Sequence, residues 1–287
     1  MLRTTRLRAA GTVVAAAALF ALTACAGTAD PAGSTAPGTG SETGLQTLVD
    51  GQLTIATGQP AYSPWVENDA PESGEGFEAA VAYAVAEELG FAPEDVVWTR
   101  TTFDSVIAPG PKDFDFNIQQ FSVNPDRAEV VDFSSPYYVT SQAVVSIAGN
   151  DGADATGIAE LRDVRIGVAA GTTTIGVVDE LIDPTVDVSI FNSNEDTVQA
   201  LIAGQIDVLV TDLPTAFYNA YGQLDDGVLV GQLDSAEGGD EFALLLEKDS
   251  PLTDAVTAAV DTLRENGTLD ELAATWIADN GGAAVLQ

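Results

Sequence analysis

An arginine at the start of a predicted helix is the most informative polar residue of the sequence. Residues 124–127 read Asn-Pro-Asp-Arg, and asparagine followed by proline is typical of a helix N-cap with proline in the first position. Arg127 then lies in the first helical turn, where the helix dipole favours anions rather than cations. This placement indicates that Arg127 and the helix start both face a bound anion. The alternative is a surface arginine paired with one of the many acids of the chain.

Two more polar groups follow predicted strands in the second half of the chain. Residues 167–174 read Gly-Val-Ala-Ala-Gly-Thr-Thr-Thr, and backbone N–H groups and hydroxyls in such a turn suit a carboxylate or a phosphate. An ordinary strand-to-helix turn has the same composition, and the Gly-Lys-Ser/Thr of a P-loop is missing. Asp212 follows the strand predicted at residues 206–211. Its carboxylate would hold an ammonium group, cap the helix that begins near Pro214, or do both.

The composition excludes most familiar catalytic and metal sites. The 287 residues include 10 Lys and Arg against 44 Asp and Glu, with no His, one Cys and a net charge of −34. Without histidine there is neither a Ser-His-Asp triad nor a His-ligated metal, and a lone cysteine forms no internal disulfide. The charge also disfavours nucleic acid and anionic lipid surfaces, which proteins bind through Lys and Arg. We therefore expect no metal, no cofactor and no nucleic-acid partner.

The N-terminal residues predict an export signal that ends at a lipidated cysteine. Three arginines precede an apolar stretch at residues 13–22, and Leu-Thr-Ala stands directly before Cys25. A transmembrane helix is the alternative, but it needs about 20 strongly apolar residues and this stretch is short and rich in alanine. The end of the segment resembles the bacterial lipobox. We predict a signal peptide over residues 1–24 and attachment to the extracytoplasmic face of the cell membrane through a lipid on Cys25.

A linker is predicted between this lipid site and the folded part of the chain. Residues 25–49 are rich in Gly, Ser, Thr, Ala and Pro, so they bury too little apolar surface to offset their ordering entropy. Loss of the leader with its three arginines would take the net charge from −34 to −37. The prediction is a flexible tether on a strongly acidic module.

The remaining chain alternates strands and helices, which indicates an α/β fold. Residues 103–118 and 197–210 look alike: each has a short helical segment, a glycine-containing turn and an apolar-Asp-apolar strand. This duplicated unit predicts two similar lobes, with the candidate residues beyond the carboxyl ends of strands. Helices are predicted at residues 194–203, 213–221, 252–266 and 268–278.

Several short motifs, by their order and spacing, resemble the family 3 bacterial extracellular solute-binding proteins, which serve ABC importers of polar amino acids. The resemblance covers about residues 50–280. It is carried by Tyr-Ser-Pro-Trp at 62–65, Gly-Phe-Glu at 76–78, Asn-Pro-Asp-Arg at 124–127, Asp-Phe-Ser-Ser-Pro-Tyr-Tyr at 132–138, the turn at 168–173, Gly-Gln-Ile-Asp at 204–207 with Asp212, and Glu-Asn-Gly-Thr at 265–268 before Trp276. It implies a two-lobed periplasmic-binding-protein-like fold with two hinge-crossing strands that closes over its ligand. Lobe 1 would comprise residues 50–139 plus 241–287, and lobe 2 residues 143–238.

The resemblance also implies which residues hold the main-chain groups of an amino acid. Arg127 would bind the α-carboxylate, and the hydroxyls of Ser122 and Thr173 would bond to the same group. Asp212 would accept the α-ammonium group. Gln119 stands at the position whose backbone carbonyl meets that ammonium group.

The residues expected around the ligand side chain favour a neutral polar amino acid. Tyr62 and Phe103 match the aromatic pair that sandwiches the side chain in the family, although single aromatics are more often core residues. Gln59 stands where receptors for basic amino acids carry an acid, although another acid of the chain could take that role. Gln119 and Gln120 replace small residues and bring amides to the pocket. No further Lys or Arg at the strand ends would meet a side-chain carboxylate. The sequence therefore predicts an L-amino acid of the glutamine kind.

We expect a monomeric receptor that captures an amino acid between its lobes and delivers it to the permease of an ABC importer, with no catalytic residues. The alternative is an enzyme like the cyclohexadienyl and arogenate dehydratases, because some relatives of this fold are dehydratases. Such an enzyme needs a general acid or base tuned for proton transfer. Asp212 is the best candidate, but no second titratable partner stands out at the other strand ends.

Overall fold

The computed structural model describes residues 44–233, 238–277 and 283–287. The predicted signal peptide, Cys25 and the predicted linker up to residue 43 lie outside the described residues. The end of the predicted linker contacts the folded part: Leu45 packs against the apolar core, and the Leu48 N–H donates to the Asp115 carboxylate at 2.6 Å. Within the described ranges, no helix has the length and apolar character needed to cross a bilayer.

The first of two β-sheets contains five strands, which are β1 (Leu53–Gly58), β2 (Val96–Thr101), β3 (Phe116–Asn117), β4 (Val131–Thr140) and β10 (Asp240–Glu247). Their spatial order is β2-β1-β3-β10-β4. Strand β1 is parallel to β2 and β3, whereas β10 is antiparallel to β3 and β4. The carboxyl ends of β1 and β3 therefore lie at the same edge of the sheet.

The second sheet contains six strands, which are β5 (Gln142–Ile147), β6 (Ile166–Ala169), β7 (Ser189–Phe191), β8 (Val208–Asp212), β9 (Gly227–Leu233) and β11 (Val285–Leu286). Their spatial order is β11-β9-β5-β8-β6-β7, with β6 parallel to β7 and β8. Ala143 and Val145 of β5 belong to one apolar cluster and Val144 to another. Because side chains alternate along a strand, this sheet is covered on both faces.

The helices divide between the two sheets. With the first sheet lie α1 (Phe77–Glu88), α2 (Phe103–Ile107), α3 (Pro125–Ala128), α7 (Thr253–Glu265) and α8 (Thr268–Trp276), which together form lobe 1. With the second lie α4 (Thr174–Val177), α5 (Asn194–Ile202) and α6 (Leu213–Tyr218), which form lobe 2. The helices predicted at 194–203, 252–266 and 268–278 are found within two residues of those ends.

The chain crosses between the lobes from β4 to β5 and again between β9 and β10, so the prediction of two lobes joined by two crossings is confirmed. The structure differs from the prediction at the C-terminus, which was assigned to lobe 1 through residue 287. Strand β11 instead pairs with β9 in lobe 2. Leu286 is buried in the lobe 2 core, and the Gln287 carbonyl accepts the Ile158 N–H at 3.2 Å.

The two similar sequence units each place an aspartate at the start of a central strand. Asp115 Oδ2 accepts the Thr54 N–H of β1 at 2.6 Å, and Asp207 Oδ2 accepts the Arg165 N–H just before β6 at 2.9 Å. In both lobes one carboxylate thus ties neighbouring parallel strands together at one end. The opposite, carboxyl ends carry the candidate functional residues.

Candidate functional site

A cavity of about 410 Å³ is lined by residues of both lobes. This volume lies in the range of small-molecule sites, roughly 300–1,000 Å³. All the candidate residues of the sequence analysis line this cavity, namely Gln59, Tyr62, Phe103, Gln119, Gln120, Ser122, Arg127, Thr173 and Asp212. The fold therefore brings together residues that are up to 153 positions apart in the chain. Their individual roles toward a ligand remain predictions.

Arg127 projects from the short helix α3, whose start has the predicted cap. The Asn124 side chain accepts the Arg127 N–H at 2.8 Å, and Pro125 occupies the first helical position. The guanidinium donates from Nη1 to the Ser122 carbonyl and from Nη2 to the Gly171 carbonyl, both at 2.8 Å. Gly171 belongs to lobe 2, so Arg127 bridges the two walls of the cavity.

Two aromatic rings pack beneath the Arg127 guanidinium. Its Cζ lies 5.4 Å from the centre of the Phe103 ring and 5.6 Å from that of Phe121, which are distances of a cation–π contact. The two rings stack with their centres 4.2 Å apart. Phe103 thus supports the arginine as well as lining the cavity. Sequence reasoning missed Phe121, although its place between Gln120 and Ser122 is a signal for it.

Arg127 differs from the paired cations of the chain. Five Lys or Arg side chains of the described ranges form ion pairs, namely Arg100 with Asp69, Arg162 with Asp183, Arg165 with Asp207, Lys248 with Asp132 and Arg264 with Asp261. Arg127 is only 7% exposed and forms no ion pair with any described residue, so the alternative of a paired surface arginine is wrong. Burial lowers the pKa of Arg127, and the charge of nearby Asp240 partly opposes this. Its two hydrogen bonds to carbonyls use two of the five N–H groups of a guanidinium, which leaves donors for an anion.

Asp212 lies on the facing wall, at the end of β8. Its Oδ1 accepts the Thr215 N–H at 3.0 Å, so the predicted N-cap of α6 is confirmed. Burial raises the pKa of Asp212 to about 6; the hydrogen bonds from Thr215 partly oppose the rise, and the charge of Asp240 adds to it. A carboxylate that accepts such a bond still has acceptor positions for an ammonium group.

A polar network joins the Ser122–Thr173 side of the cavity to the crossing between lobes. The Thr173 hydroxyl lies 3.4 Å from the Ser122 hydroxyl and donates to Asp240 Oδ2 at 3.2 Å. Gln142 donates to the same Asp240 oxygen at 2.6 Å and accepts from the Thr174 hydroxyl at 2.8 Å. Sequence reasoning missed Gln142 and Asp240. Their polarity at the two points where the chain changes sheets is a signal for them.

The cavity is also lined by a carboxylate that the sequence analysis did not identify. Glu195, in the first turn of α5, lines the cavity, and its carboxylate accepts from the side-chain amides of Gln199 and Gln223 at 2.9 Å each. Burial raises the pKa of Tyr62 to about 12, and the charge of Glu195 adds to the rise. Residues 186–191 read Val-Asp-Val-Ser-Ile-Phe, an alternation that indicates a strand. Reading that strand would have directed attention to Glu195, just beyond its carboxyl end.

The two glutamines after β3 use their side chains within lobe 1. Gln119 Oε1 accepts from the Thr101 hydroxyl at 3.2 Å and from Asn117 Nδ2 at 3.4 Å. Gln120 donates from its backbone N–H to Glu78 Oε1 at 2.7 Å and from its side-chain amide to Glu78 Oε2. The sequence analysis expected the Gln120 amide to serve a ligand. The structure directs its NH₂ group to Glu78, because a buried carboxylate needs hydrogen-bond donors.

The walls of the cavity are in direct contact in this structure. Trp65 Nε1 of lobe 1 donates to the Thr215 hydroxyl of lobe 2 at 2.8 Å, in addition to the bond between Arg127 and Gly171. Trp65 is itself buried in the lobe 1 core, where its ring centre lies 5.8 Å from that of Phe242. The two lobes therefore enclose the cavity between them.

Comparison with known proteins gives a consistent result. The family model of the bacterial extracellular solute-binding proteins, family 3, matches residues 53–279. A probable amino-acid ABC transporter periplasmic-binding protein of Sinorhizobium fredii is 28% identical over 58% of this chain, but the match spans only 55% of that relative. A glutamate-binding protein of Corynebacterium efficiens is 27% identical over 92% of this chain and 88% of its own length. The structure of an ancestral arginine-binding protein bound to glutamine is 26% identical and superposes with a TM-score of 0.67, covering 80% of this chain and all of that one.

Proposed function

Because this chain belongs to the bacterial extracellular solute-binding proteins of family 3, we propose that it is a receptor that holds a free amino acid between its two lobes. The pair formed by Arg127 and Asp212 carries the proposal: two buried side chains of opposite charge, one on each lobe, line a single cavity. Buried charges are costly unless a partner compensates them. The α-carboxylate and α-ammonium groups of a zwitterion would compensate both at once.

For the side chain of the ligand we propose glutamine first. Among the described residues that line the cavity, Arg127 is the only Lys or Arg, so a second carboxylate, as in glutamate or aspartate, would meet no cation from this part of the chain. Gln59 lines the same cavity with an amide rather than an acid. The ancestral arginine-binding protein described above was solved with glutamine bound, which supports a glutamine-like ligand in a cavity of this kind.

Arginine is the second candidate, because Glu195 brings a carboxylate to the cavity. Two donors already surround that carboxylate, namely the side-chain amides of Gln199 and Gln223 at 2.9 Å each. Because these bonds already stabilise the Glu195 carboxylate, it needs a cationic partner less. We therefore rank arginine below glutamine as the ligand.

Competition calorimetry with glutamine, arginine and glutamate tests these proposals together. We expect glutamine to bind at least tenfold more tightly than either competitor. Tighter binding of arginine that is lost in Glu195→Gln would replace glutamine by a cationic ligand and leave the receptor proposal in place. If no amino acid raises the melting temperature of the chain, the receptor proposal is wrong, since a ligand of the folded state must stabilise it.

We propose that the receptor is anchored by lipid on Cys25 outside the cytoplasm and delivers its ligand to an ABC permease. A single cysteine after a small-residue segment, in a chain of an extracellular binding-protein family, supports this. Cys25→Ser should retain ligand binding but lose membrane association, as measured by detergent phase separation. A serine variant that still enters the detergent phase would contradict the anchor.

We further propose that the receptor is a monomer that closes over its ligand. X-ray scattering should show a smaller radius of gyration at saturating ligand with no change in molecular mass. The relatives described above are named as binding or transport proteins, which favours this role over a dehydratase. Accordingly, the chain should turn over neither prephenate nor arogenate.

A further inference from the structure

A fully buried carboxylate lies behind the cavity. Glu78, in the first turn of α1, has no exposed surface and forms no ion pair within the described part of the chain. Its oxygens accept from the Tyr137 hydroxyl, from the Gln120 backbone N–H at 2.7 Å and from the Gln120 side-chain amide. Burial raises the pKa of Glu78 to about 7, and these three donors partly oppose the rise. An acid in this position is costly to the fold, which calls for a compensating role.

Gln120, which donates two of these bonds, has an unusual backbone. Its φ is +51°, in the left-handed region that glycine adopts freely and other residues avoid. Both of its N–H-bearing groups point to the one Glu78 carboxylate. This bidentate arrangement fixes backbone and side chain of Gln120 together, and so supplies the stabilisation that the left-handed conformation lacks.

The Glu78 carboxylate is itself held in place. The Glu78 N–H donates to the Trp65 carbonyl at 2.9 Å, where α1 begins against the preceding loop. Gly76 permits this approach, since a Cβ there would lie 2.5 Å from the same Trp65 oxygen, and its φ is +103°. The start of α1 is therefore a rigid support for the turn at Gln120.

The turn at Gln120 determines how the chain enters the site. Gln119 precedes it and Ser122 follows two residues later, and both line the cavity. The Ser122 carbonyl accepts from Arg127 Nη1, so a change in this turn would move the acceptor that orients the guanidinium.

We propose that Glu78 is a positioning residue of the ligand site: its carboxylate holds Gln120 in the left-handed conformation and thereby sets the directions of the Gln119 and Ser122 backbones at the cavity. The expected effect on ligand affinity rests on the proposed function, whereas the expected effect on the backbone at Gln119 and Ser122 does not. The competing explanation is a buried polar cluster that stabilises lobe 1 and has no influence on the site.

A double-mutant cycle separates the two explanations, with glutamine as the probe ligand. In Glu78→Gln an NH₂ group replaces one acceptor and faces the donors of Gln120, so we expect about tenfold weaker binding. In the Gln120→Gly background the same change should cost less than threefold, because glycine needs no carboxylate to remain left-handed. Equal losses in the two backgrounds would overturn the proposal.

Tyr137→Phe is the matched control. It removes a donor from the same carboxylate but leaves both bonds to Gln120, so it should lower the melting temperature while changing affinity less than twofold. A loss of affinity in Tyr137→Phe as large as that in Glu78→Gln would also overturn the proposal.

Two further measurements test the proposal if Glu78→Gln does not fold or if the chain does not bind glutamine. Gln120→Ala and Gln120→Gly both remove the side-chain amide and leave Glu78 in place. The alanine variant should bind glutamine about fivefold more weakly than the glycine variant, because only alanine is strained at this φ. Without ligand, the Nε–H resonance of Arg127 should shift in Gln120→Ala but not in Tyr137→Phe. Equal affinities of the two Gln120 variants, or an unmoved Arg127 resonance, would contradict the positioning role. Absence of glutamine binding by the unmodified chain, with the resonance shift intact, would contradict only the proposed ligand.

Discussion

The two lobes bring opposite charges to the cavity, and the two charges are held in different ways. Asp212 of lobe 2 accepts from Thr215 of its own lobe, as the cap of α6. Arg127 of lobe 1 donates both to Ser122 of its own lobe and to Gly171 of the other. Separation of the lobes would leave the bond of Asp212 intact but would take one acceptor away from Arg127.

For a receptor that closes on its ligand as proposed, this difference predicts how ligand binding and lobe closure are coupled. The lobe 2 charge is held by the helix of its own lobe, whereas the lobe 1 charge gains its second carbonyl acceptor only when the lobes meet. A ligand carboxylate would replace the neutral Gly171 carbonyl with a charged acceptor or add to it, and bonds between charged partners are the stronger ones. A ligand favours closure only through such differential contacts. On this view Arg127, more than Asp212, links binding to closure.

Removal of the lobe 1 charge should have the largest effect. Charge-assisted hydrogen bonds contribute about 1.5–3 kcal/mol each, so loss of a bidentate contact in Arg127→Ala should weaken ligand binding at least a hundredfold by calorimetry. Arg127→Lys should fail as well, because an ammonium group lacks the planar fork. The control is Arg162→Ala, an exposed arginine paired with Asp183, which should bind normally. Near-normal affinity of Arg127→Ala would show that the lobe 1 charge does not bind the ligand.

Removal of the lobe 2 charge should have the next largest effect, and here capping can be separated from binding. Asparagine caps helices as well as aspartate does, so Asp212→Asn should keep α6 intact and melt at or above the temperature of the unmodified chain. Affinity should still fall roughly 10- to 100-fold, the value of one charge-assisted bond. Asp212→Ala should lose both the cap of α6, seen as a lower melting temperature, and the affinity for the ligand. If Asp212→Asn keeps full affinity, Asp212 is a cap only.

The sequence predicted the parts of this comparison that depend on local patterns. Arg127 was identified by the Asn-Pro cap before it, and Asp212 by its place between an apolar strand and a proline-containing helix start, which are features of neighbouring residues. The duplicated strands with Asp115 and Asp207 likewise predicted two lobes with the site at the opposite strand ends.

The parts that sequence reasoning missed depend on distant contacts. Glu78 meets Gln120 across 42 positions, and no pattern near either residue announces that bond. Strand β11 has two residues, so its pairing with β9 in lobe 2 is decided by the burial of Leu286 rather than by a periodic signal. Asp240 meets Thr173 only because the chain recrosses between lobes.

Acidification should have a smaller effect, of about tenfold in ligand affinity per pH unit. It should move the stability contributed by the two buried carboxyls and the affinity for the ligand in opposite directions. Burial raises the pKa of Asp212 to about 6 and that of Glu78 to about 7. Between about pH 4, where free carboxyls titrate, and these values, the folded chain holds protons that the unfolded chain has lost. The contribution of these two carboxyls to the stability of the ligand-free chain is therefore greatest at the acidic end of this window and falls as the pH rises through 6 and 7.

Ligand affinity should behave in the reverse way, because an ammonium group needs Asp212 in its charged form. We expect affinity to fall roughly tenfold per pH unit below about 6. The charge of Asp240 acts on Asp212, and the Tyr137 hydroxyl donates to Glu78. Calorimetry from pH 5 to 8 gives the affinity profile, and Asp212→Asn should flatten its acidic limb. A profile that does not change with pH would mean that Asp212 does not pair with the ligand.

The smallest expected effect concerns the contact that holds the lobes together away from the charges. Trp65 Nε1 donates to the Thr215 hydroxyl across the lobes, and Trp65→Phe keeps an aromatic ring in the core but removes that donor. A neutral hydrogen bond contributes about 0.5–1.5 kcal/mol, so ligand affinity should fall roughly 2- to 12-fold. Trp98→Phe is the matched control, since Trp98 Nε1 donates to the Tyr83 hydroxyl within lobe 1 at 3.3 Å. It should lower the melting temperature without changing affinity or the scattering profile with ligand. Equal losses of affinity in the two variants would mean that the bond between Trp65 and Thr215 does not contribute to binding through closure, and that Arg127 is the principal link between the two.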